Sequence, residues 1–422
     1  LNPSYKSEEY EFYLKDLNPK IVLVEKNSEN PVVDVAKKLK IELCEINPEK
    51  DGPSGIFNIY EKESEYSLPN ESDEALVLHT SGTTSRPKIV PLTNKNIFSS
   101  AENISKSLNL SENDHCLNIM PLFHIHGLIA ILASSMKAGA SVCASNGFNA
   151  IKFLDMAKSE KITWYSGVPT MHQAILLRAS RNLEVAKLLK LRLIRSSSAS
   201  LPPVVFKDLN DVFSCPVIEA YGMTEATHQM TSNPLPPKQQ KAGFVGLPAG
   251  PEVCIMNENG EVLKQGDEGE VCIKGENVTL GYDNNEEANK TSFTNGWFRT
   301  GDQGYFDNEG YLKISGRLKE IINKGGEKIS PLEVDNVLMD HPLIDQAVCF
   351  GYEDKMLGEN IASAIIIKSG EAFSENDVLE YAQEKLAKFK IPKKIFFVEE
   401  IPKGATGKLQ RNVLAKKFGL NN

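Results

Sequence analysis

Thr80-Ser-Gly-Thr-Thr-Ser-Arg-Pro-Lys88 begins one residue after the apolar run Ala75-Leu-Val-Leu78. An apolar strand that opens into hydroxyls, a glycine and two cations has the chemistry a polyphosphate needs. Hydroxyls and free backbone N–H groups wrap the phosphate oxygens, and Arg86 or Lys88 offsets their charge. The loop is not a Walker A sequence, since no G-x-x-x-x-G-K-[ST] occurs in the chain. Taken alone, it reads equally as an ordinary Ser/Thr turn ended by Pro87.

The 422 residues leave room for two or three domains and a large core. A net charge of −9 argues against nucleic acid as the main partner. Seven scattered cysteines, none in a C-x-x-C pair, fit reduced thiols and neither a disulfide framework nor a zinc site. No apolar run reaches the ~18 residues of a membrane span. No signal peptide is visible, and the C-terminal Gly419-Leu-Asn-Asn422 is no peroxisomal address. These features predict a soluble, cytoplasmic protein without membrane insertion.

Strand and helix patterns alternate through the first two-thirds. Strands are predicted at Lys20–Val24, Leu117–Met120, Ile162–Tyr165, Leu191–Ile194 and Pro216–Glu219. Helices are predicted at Pro31–Lys40, Asn94–Leu110, Leu128–Met136, Met171–Ala179 and Pro203–Phe213. This order implies an α/β fold of helix-covered, mainly parallel sheets, with functional loops at the strand C-termini. From about Gly243 the texture changes to short strands separated by Asn- and Gly-rich turns, a small antiparallel β region over 243–315. A final mixed unit follows, with helices Pro331–Met339 and Glu375–Lys388 and strands Gln346–Phe350 and Ala362–Ile367. The expected organisation is a large domain over 1–316, a hinge at 317–319, and a small mobile α+β lid over 320–422.

Candidate site residues fall at these element ends. Pro121-Leu-Phe-His-Ile-His-Gly127 carries a His-x-His pair with no third metal ligand of suitable spacing, which leaves His124 a packing or gating role at a pocket wall. Ser196-Ser-Ser-Ala-Ser200 and Glu219-Ala-Tyr-Gly-Met-Thr-Glu225 end adjacent predicted strands, where an open α/β sheet binds ligands. Tyr221 offers a flat face for a purine, Thr224 a hydroxyl for a phosphate, and Glu225 a carboxylate for Mg²⁺. Tyr221-Gly222 as a mere turn and Glu225 as a solvated acid are the alternatives. Arg299-Thr-Gly-Asp302 puts a carboxylate on a glycine turn, suited to bridging ribose hydroxyls. Gly325-Gly-Glu-Lys-Ile-Ser330 is a flexible basic loop, and Lys408 lies on a Gly-flanked loop near the C-terminus. By itself Lys408 is simply an exposed lysine.

Taken in order, these motifs resemble the signatures of the adenylate-forming superfamily: acyl-CoA synthetases, firefly-type luciferases and peptide-synthetase adenylation domains. The match runs from Thr80 to Lys408. Within that superfamily the chain most resembles the oxalate–CoA ligase branch, through Pro121 to Gly127, Arg195-Ser-Ser-Ser-Ala-Ser-Leu201, Thr224 to Pro236 and Gly316 to Pro331.

The resemblance implies a two-step reaction. A carboxylate attacks the α-phosphate of ATP to give an acyl-adenylate and pyrophosphate, and coenzyme A thiol then displaces AMP. It implies that Thr80, Ser81, Gly82, Thr83, Thr84 and Lys88 cradle the β- and γ-phosphates. Tyr221 would stack on adenine, with Ala199, Ser200, Glu219, Ala220 and Gly222 around it. Thr224 would touch the α-phosphate, Glu225 would hold Mg²⁺, Asp302 would bind the ribose, and Arg317 would assist. Lys408 would bridge the attacking carboxylate and the phosphate as charge develops. A swing of the C-terminal domain about Lys319 would withdraw Lys408 and bring Gly325 and Gly326 to the coenzyme A tunnel.

Oxalate has no hydrocarbon to bury, so its second carboxylate requires polar or cationic partners. The resemblance puts Ser198 and His228 there, with His228 expected to become cationic beside a carboxylate at neutral pH. Two other readings compete: a ligase for medium-chain or aryl acids with the same chemistry, and an inactive nucleotide-binding relative. Leu1-Asn-Pro-Ser-Tyr5 resembles an internal segment of the family's N-terminal domain, so a preceding segment is expected to be missing.

Overall fold

Strands Trp164–Gly167 and Leu193–Ser196 are buried along their whole length and form the middle of a seven-stranded sheet. Their neighbours run, in sheet order, Ser141–Ala144, His115–Asn118, Trp164–Gly167, Leu193–Ser196 and Val217–Met223, all parallel. His228–Ser232 and Leu247–Pro248 then extend the edge antiparallel. Strands covered on both faces need apolar side chains on both. Trp164, Tyr165, Leu193, Ile194, Val217 and Ile218 supply them, each fully buried. Helix Pro203–Phe213 starts on a proline whose φ is already helical and buries Val205, Leu209 and Phe213, one stripe at helical spacing.

The computed structural model describes residues 1–49, 55–59, 67–80, 87–368, 373–404 and 409–420. Contacts divide the chain into two compact units, Leu1–Asn70 and Glu71–Asn422. In the first, Ile21–Glu25 pairs in parallel with Glu42–Pro48 across helix Val32–Leu39, around a core of Tyr10, Leu14, Val24, Val32 and Val35. No helix among the described residues is long and apolar enough to cross a membrane.

Among the described residues the second unit contains the seven-stranded sheet and three further sheets, the smallest being the antiparallel hairpin of Glu74–His79 and Ile89–Thr93. An antiparallel sheet joins Glu252–Met256, Gly269–Lys274, Phe293–Thr294, Trp297–Phe306 and Leu312–Arg317. A mixed sheet is built on the long hairpin Ile344–Asp354 and Gly358–Ile367, with separate apolar clusters on its two faces. One feature departs from the sequence reading. The predicted helix Leu128–Met136 is a π-helix, His126–Ala133, followed by a short α-helix, Ser134–Lys137. The wider π turn begins two residues earlier and includes His126.

Near the C-terminus, Arg411 Nη2 donates to Asp335 Oδ2 at 2.6 Å, and Arg411 Nε lies 3.3 Å from Glu320. Arg411 also donates to the Cys349 carbonyl, and Asp335 accepts from the Cys349 amide. Removing one partner of a buried pair leaves an uncompensated charge. Asp335→Ala should therefore destabilise this unit by about 3–5 kcal/mol. A chemical denaturation midpoint equal to that of the wild type would contradict it.

Candidate active site

Strand Val217–Met223 carries Tyr221 towards the antiparallel sheet, where its hydroxyl donates to Asp302 Oδ2 at 2.6 Å. Arg317 Nε donates to the other oxygen, Oδ1, at 2.9 Å. Asp302 and Arg317 are register partners on Trp297–Phe306 and Leu312–Arg317, so the hairpin itself aligns the pair. The Asp302 carboxylate holds the Arg317 guanidinium above its usual range, and burial, then Asp302, pushes the Tyr221 phenol up. Beside them lies a cavity of 270 Å³. Its lining includes Ser198, Ala199, Ser200, Glu219, Ala220, Tyr221, Gly222, Asp302 and Arg317, with Asp335, Gln346 and Arg411 from the C-terminal segment. Glu219 is buried and accepts from the Gly243 amide at 2.9 Å. Burial pushes its carboxyl up to about 8, against the opposing pull of the Gly243 and Leu201 amides.

The Thr80 loop is closed by a hairpin. Thr80 N donates to the Lys88 carbonyl at 2.9 Å, and Lys88 N donates to Thr80 Oγ1 at 3.1 Å. Ser81, Gly82, Thr83, Thr84 and Lys408 lie outside the described residues. Lys88 Nζ sits 4.2 Å above the Tyr282 ring, and Tyr282 donates its hydroxyl to Glu225 Oε1 at 2.8 Å. Burial lowers the Lys88 ammonium, with the Glu225 charge opposing and the Lys319 charge adding to the effect. Burial raises Glu225 in turn. Thr224 opens the single 3₁₀ turn Thr224–Ala226. That turn is clamped: Asn277 Nδ2 donates to the Ala226 and Gln229 carbonyls, and Ser100 Oγ to that of Thr227. One buried carboxylate beside a cation-bearing hairpin is a donor set that fits Mg²⁺, which takes a carboxylate together with substrate phosphates.

Behind Ser198 lies a cluster of buried polar side chains. His126 Nδ1 lies 3.0 Å from Ser198 Oγ, and its Nε2 lies 2.7 Å from Ser166 Oγ. Arg195, fully buried, donates through Nη1 to Ser166 Oγ at 3.4 Å and through Nη2 to Gln229 Oε1 at 3.1 Å. The same Nη2 reaches His228 Nδ1 at 3.5 Å. His126 and His228 rings pack with centroids 5.0 Å apart. No carboxylate among the described residues pairs with Arg195, and its Nε has no partner. Burial brings the guanidinium down to about 9, so it stays charged at neutral pH.

Ser198 and His228 both carry positive φ, 72° and 96°. For residues with a Cβ this is strained backbone, of a kind that concentrates at functional sites. Gly222 makes the His228 position possible. A Cβ there would lie 1.8 Å from the His228 carbonyl oxygen.

The expected cationic His228 is corrected by this geometry. Burial, then the Arg195 charge, then His124, lower its pKa well below the ordinary value, so it is neutral at pH 7. His126 is likewise held neutral, by burial first. His124 stands one step back, with its Nδ1 accepting from the His126 amide at 3.2 Å. Gly325 and Gly326, at φ 61° and 93°, form the tight turn between Ile322–Lys324 and Glu327–Ile329. Lys319 lies in the 3₁₀ turn Leu318–Glu320. Sequence reading missed Arg195, Ser166, His126, Gln229 and Tyr282, although Arg195 and His126 sit inside quoted motifs.

A family model described as AMP-binding enzyme matches residues 1–283, and one described as AMP-binding enzyme C-terminal domain matches residues 333–408. The chain belongs to the AMP-binding enzyme family. It is 48% identical over 426 residues to an oxalate–CoA ligase of Arabidopsis thaliana, covering 99% of this chain and 83% of that protein. It is 44% identical over 446 residues to an oxalate–CoA ligase of Saccharomyces cerevisiae, covering 99% and 81%. Among solved structures, ATP-bound MatB from Rhodopseudomonas palustris superposes with a TM-score of 0.89 at 29% identity, covering 99% of this chain and 83% of that one.

Glu219 gives the site a pH signature. Its folded value of about 8 exceeds the ordinary 4.5, so between these the native state holds a proton that the unfolded chain has released. Stability contributed by this group therefore falls as pH rises from about 5 to about 8. Glu219→Gln removes that dependence, and its Tm relative to wild type should climb across the same window. Parallel Tm–pH curves would contradict the assignment.

Proposed function

We propose that this chain is an ATP-dependent carboxylate–CoA ligase that activates oxalate. A carboxylate oxygen of oxalate attacks the α-phosphorus of ATP, the bond to the β-phosphate oxygen breaks, and pyrophosphate leaves. The thiolate of coenzyme A then attacks the acyl carbon of oxalyl-adenylate and expels AMP, giving oxalyl-CoA. The observation that carries this reading is the buried polar cluster behind Ser198, in which Ser166, His126, Arg195 and His228 supply hydrogen-bonding groups and not the apolar side chains a medium-chain or aryl acid would favour. The two oxalate–CoA ligases at 48% and 44% identity point the same way.

In this reading Tyr221 offers its ring to adenine, and the Asp302 carboxylate, fixed by Arg317, takes the ribose hydroxyls. Ala199, Ser200, Glu219, Ala220 and Gly222 complete the adenine-side wall. Lys88 and the loop Thr80 to Thr84 hold the terminal phosphates, with Thr224 at the α-phosphate. Glu225 holds Mg²⁺, which neutralises phosphate charge when bound. Lys408 bridges the attacking carboxylate and the α-phosphate. Ser198 and His228 meet the second carboxylate, with His124 behind them. The segment 320–422 acts as a lid on the large domain 1–316, turning at 317–319 about Lys319 and presenting Gly325 and Gly326 to coenzyme A. The setting is cytoplasmic.

AMP release that depends on coenzyme A tests the assignment, with oxalate compared against hexanoate and cinnamate. Oxalate should be the preferred acid, and turnover of hexanoate or cinnamate without oxalate would overturn the reading. His228→Ala should lower oxalate kcat/KM at least about tenfold while ATP still binds, because a buried donor to a charged group is lost. Normal oxalate kinetics in that variant would remove His228 from the site.

A further inference from the structure

Among the described residues no acid pairs with the buried Arg195 guanidinium, and its neighbours are arranged in two chains that end at the proposed acid-binding residues. An arginine only donates. Nη2 faces His228 Nδ1, which makes that nitrogen the acceptor and leaves the ring proton on Nε2. Nη1 donates to Ser166 Oγ, whose own hydroxyl proton is then available to His126 Nε2. His126 must in turn carry its proton on Nδ1, which donates to Ser198 Oγ. Ser198, at the cavity wall, accepts from behind and has its hydroxyl proton left to give.

We propose that Arg195 is a positioning residue that fixes the direction of both chains, so that Ser198 Oγ–H and His228 Nε2–H are both presented as donors to an acceptor-only group, the distal carboxylate of a small dicarboxylate. The identity of that ligand rests on the functional reading above, whereas the proton arrangement rests on the network alone. A monocarboxylic acid with an apolar or hydroxylated tail offers these two donors no matching pair of acceptors, so the network selects as well as binds. Neutral histidines suit this task, because the positive charge stays with Arg195 and is spread over its five N–H donors. Gln229 keeps the guanidinium in place, since it accepts from Nη2 and donates to Ser107 Oγ and the Ala249 carbonyl at 2.9 and 3.0 Å.

The direct test is made on the wild-type protein. In [¹⁵N]histidine-labelled protein at pH 7, long-range ¹H–¹⁵N correlations report the protonated nitrogen of each ring. Signals are assigned by their loss in His228→Asn and His126→Asn. His228 should appear as the Nε2–H tautomer and His126 as the opposite, Nδ1–H tautomer. Imidazolium at either position, or the same tautomer at both, overturns the proposal. Kinetics supply the second arm. Arg195→Gln should raise the oxalate KM at least about tenfold, leave the ATP KM unchanged, and erase the preference for oxalate over glyoxylate. Arg195→Lys, which keeps a donating cation, should recover part of the loss. If the wild type turns oxalate over but the tautomers are reversed or the oxalate KM of Arg195→Gln is unchanged, this inference alone fails. If the wild type does not turn oxalate over, the functional reading fails and the choice of ligand with it.

Discussion

A buried cation with no counter-charge among the described residues constrains everything around it. Taking a guanidinium out of water is costly unless its N–H groups find acceptors. Arg195 finds them on two strands of one sheet: Ser166 on a parallel strand, and Gln229 and His228 on the antiparallel strand His228–Ser232. Because the donor cannot accept, the whole polar wall inherits a direction, and the histidines are neutral despite their number. In the proposed site the remaining unmatched charge falls to the ligand. A site built this way is incomplete until an anion arrives, which is a physical reason for an acid without hydrocarbon.

The side proposed to take the nucleotide is ordered by a different device. Tyr221 and Arg317 each take one oxygen of Asp302, so a strand of the parallel sheet and a hairpin of the antiparallel sheet are joined through one carboxylate. The parallel strands end at this junction, and the order Ser141, His115, Trp164, Leu193, Val217 puts their C-terminal ends in one row. Such ends are where an open α/β sheet receives ligands. Across the cavity, Arg411 is tied to Asp335 and Glu320.

Much of the fold was legible because its signals are local. Alternating apolar runs gave the parallel strands, prolines marked helices Pro203–Phe213 and Pro331–Met339 to the residue, and hydroxyl- or glycine-rich turns marked Ser198, Tyr221 and Asp302. The hidden part depends on contacts with no local signature. Glu225 meets Tyr282 57 positions away, and Arg411 meets Asp335 76 positions away. The π turn brings His126 against Ser198. Nothing local in Arg195-Ser-Ser-Ser signals that the arginine is fully buried. His228 illustrates the same limit. A histidine near a carboxylate is expected to gain charge, but burial and a nearby cation reverse that expectation.

A crystal structure with oxalate and a non-hydrolysable ATP analogue tests most directly whether the polar wall is the acid-binding site. The distal carboxylate should accept hydrogen bonds from Ser198 Oγ and His228 Nε2, with the adenine against Tyr221. Oxalate bound without contact to either Ser198 or His228 would contradict it.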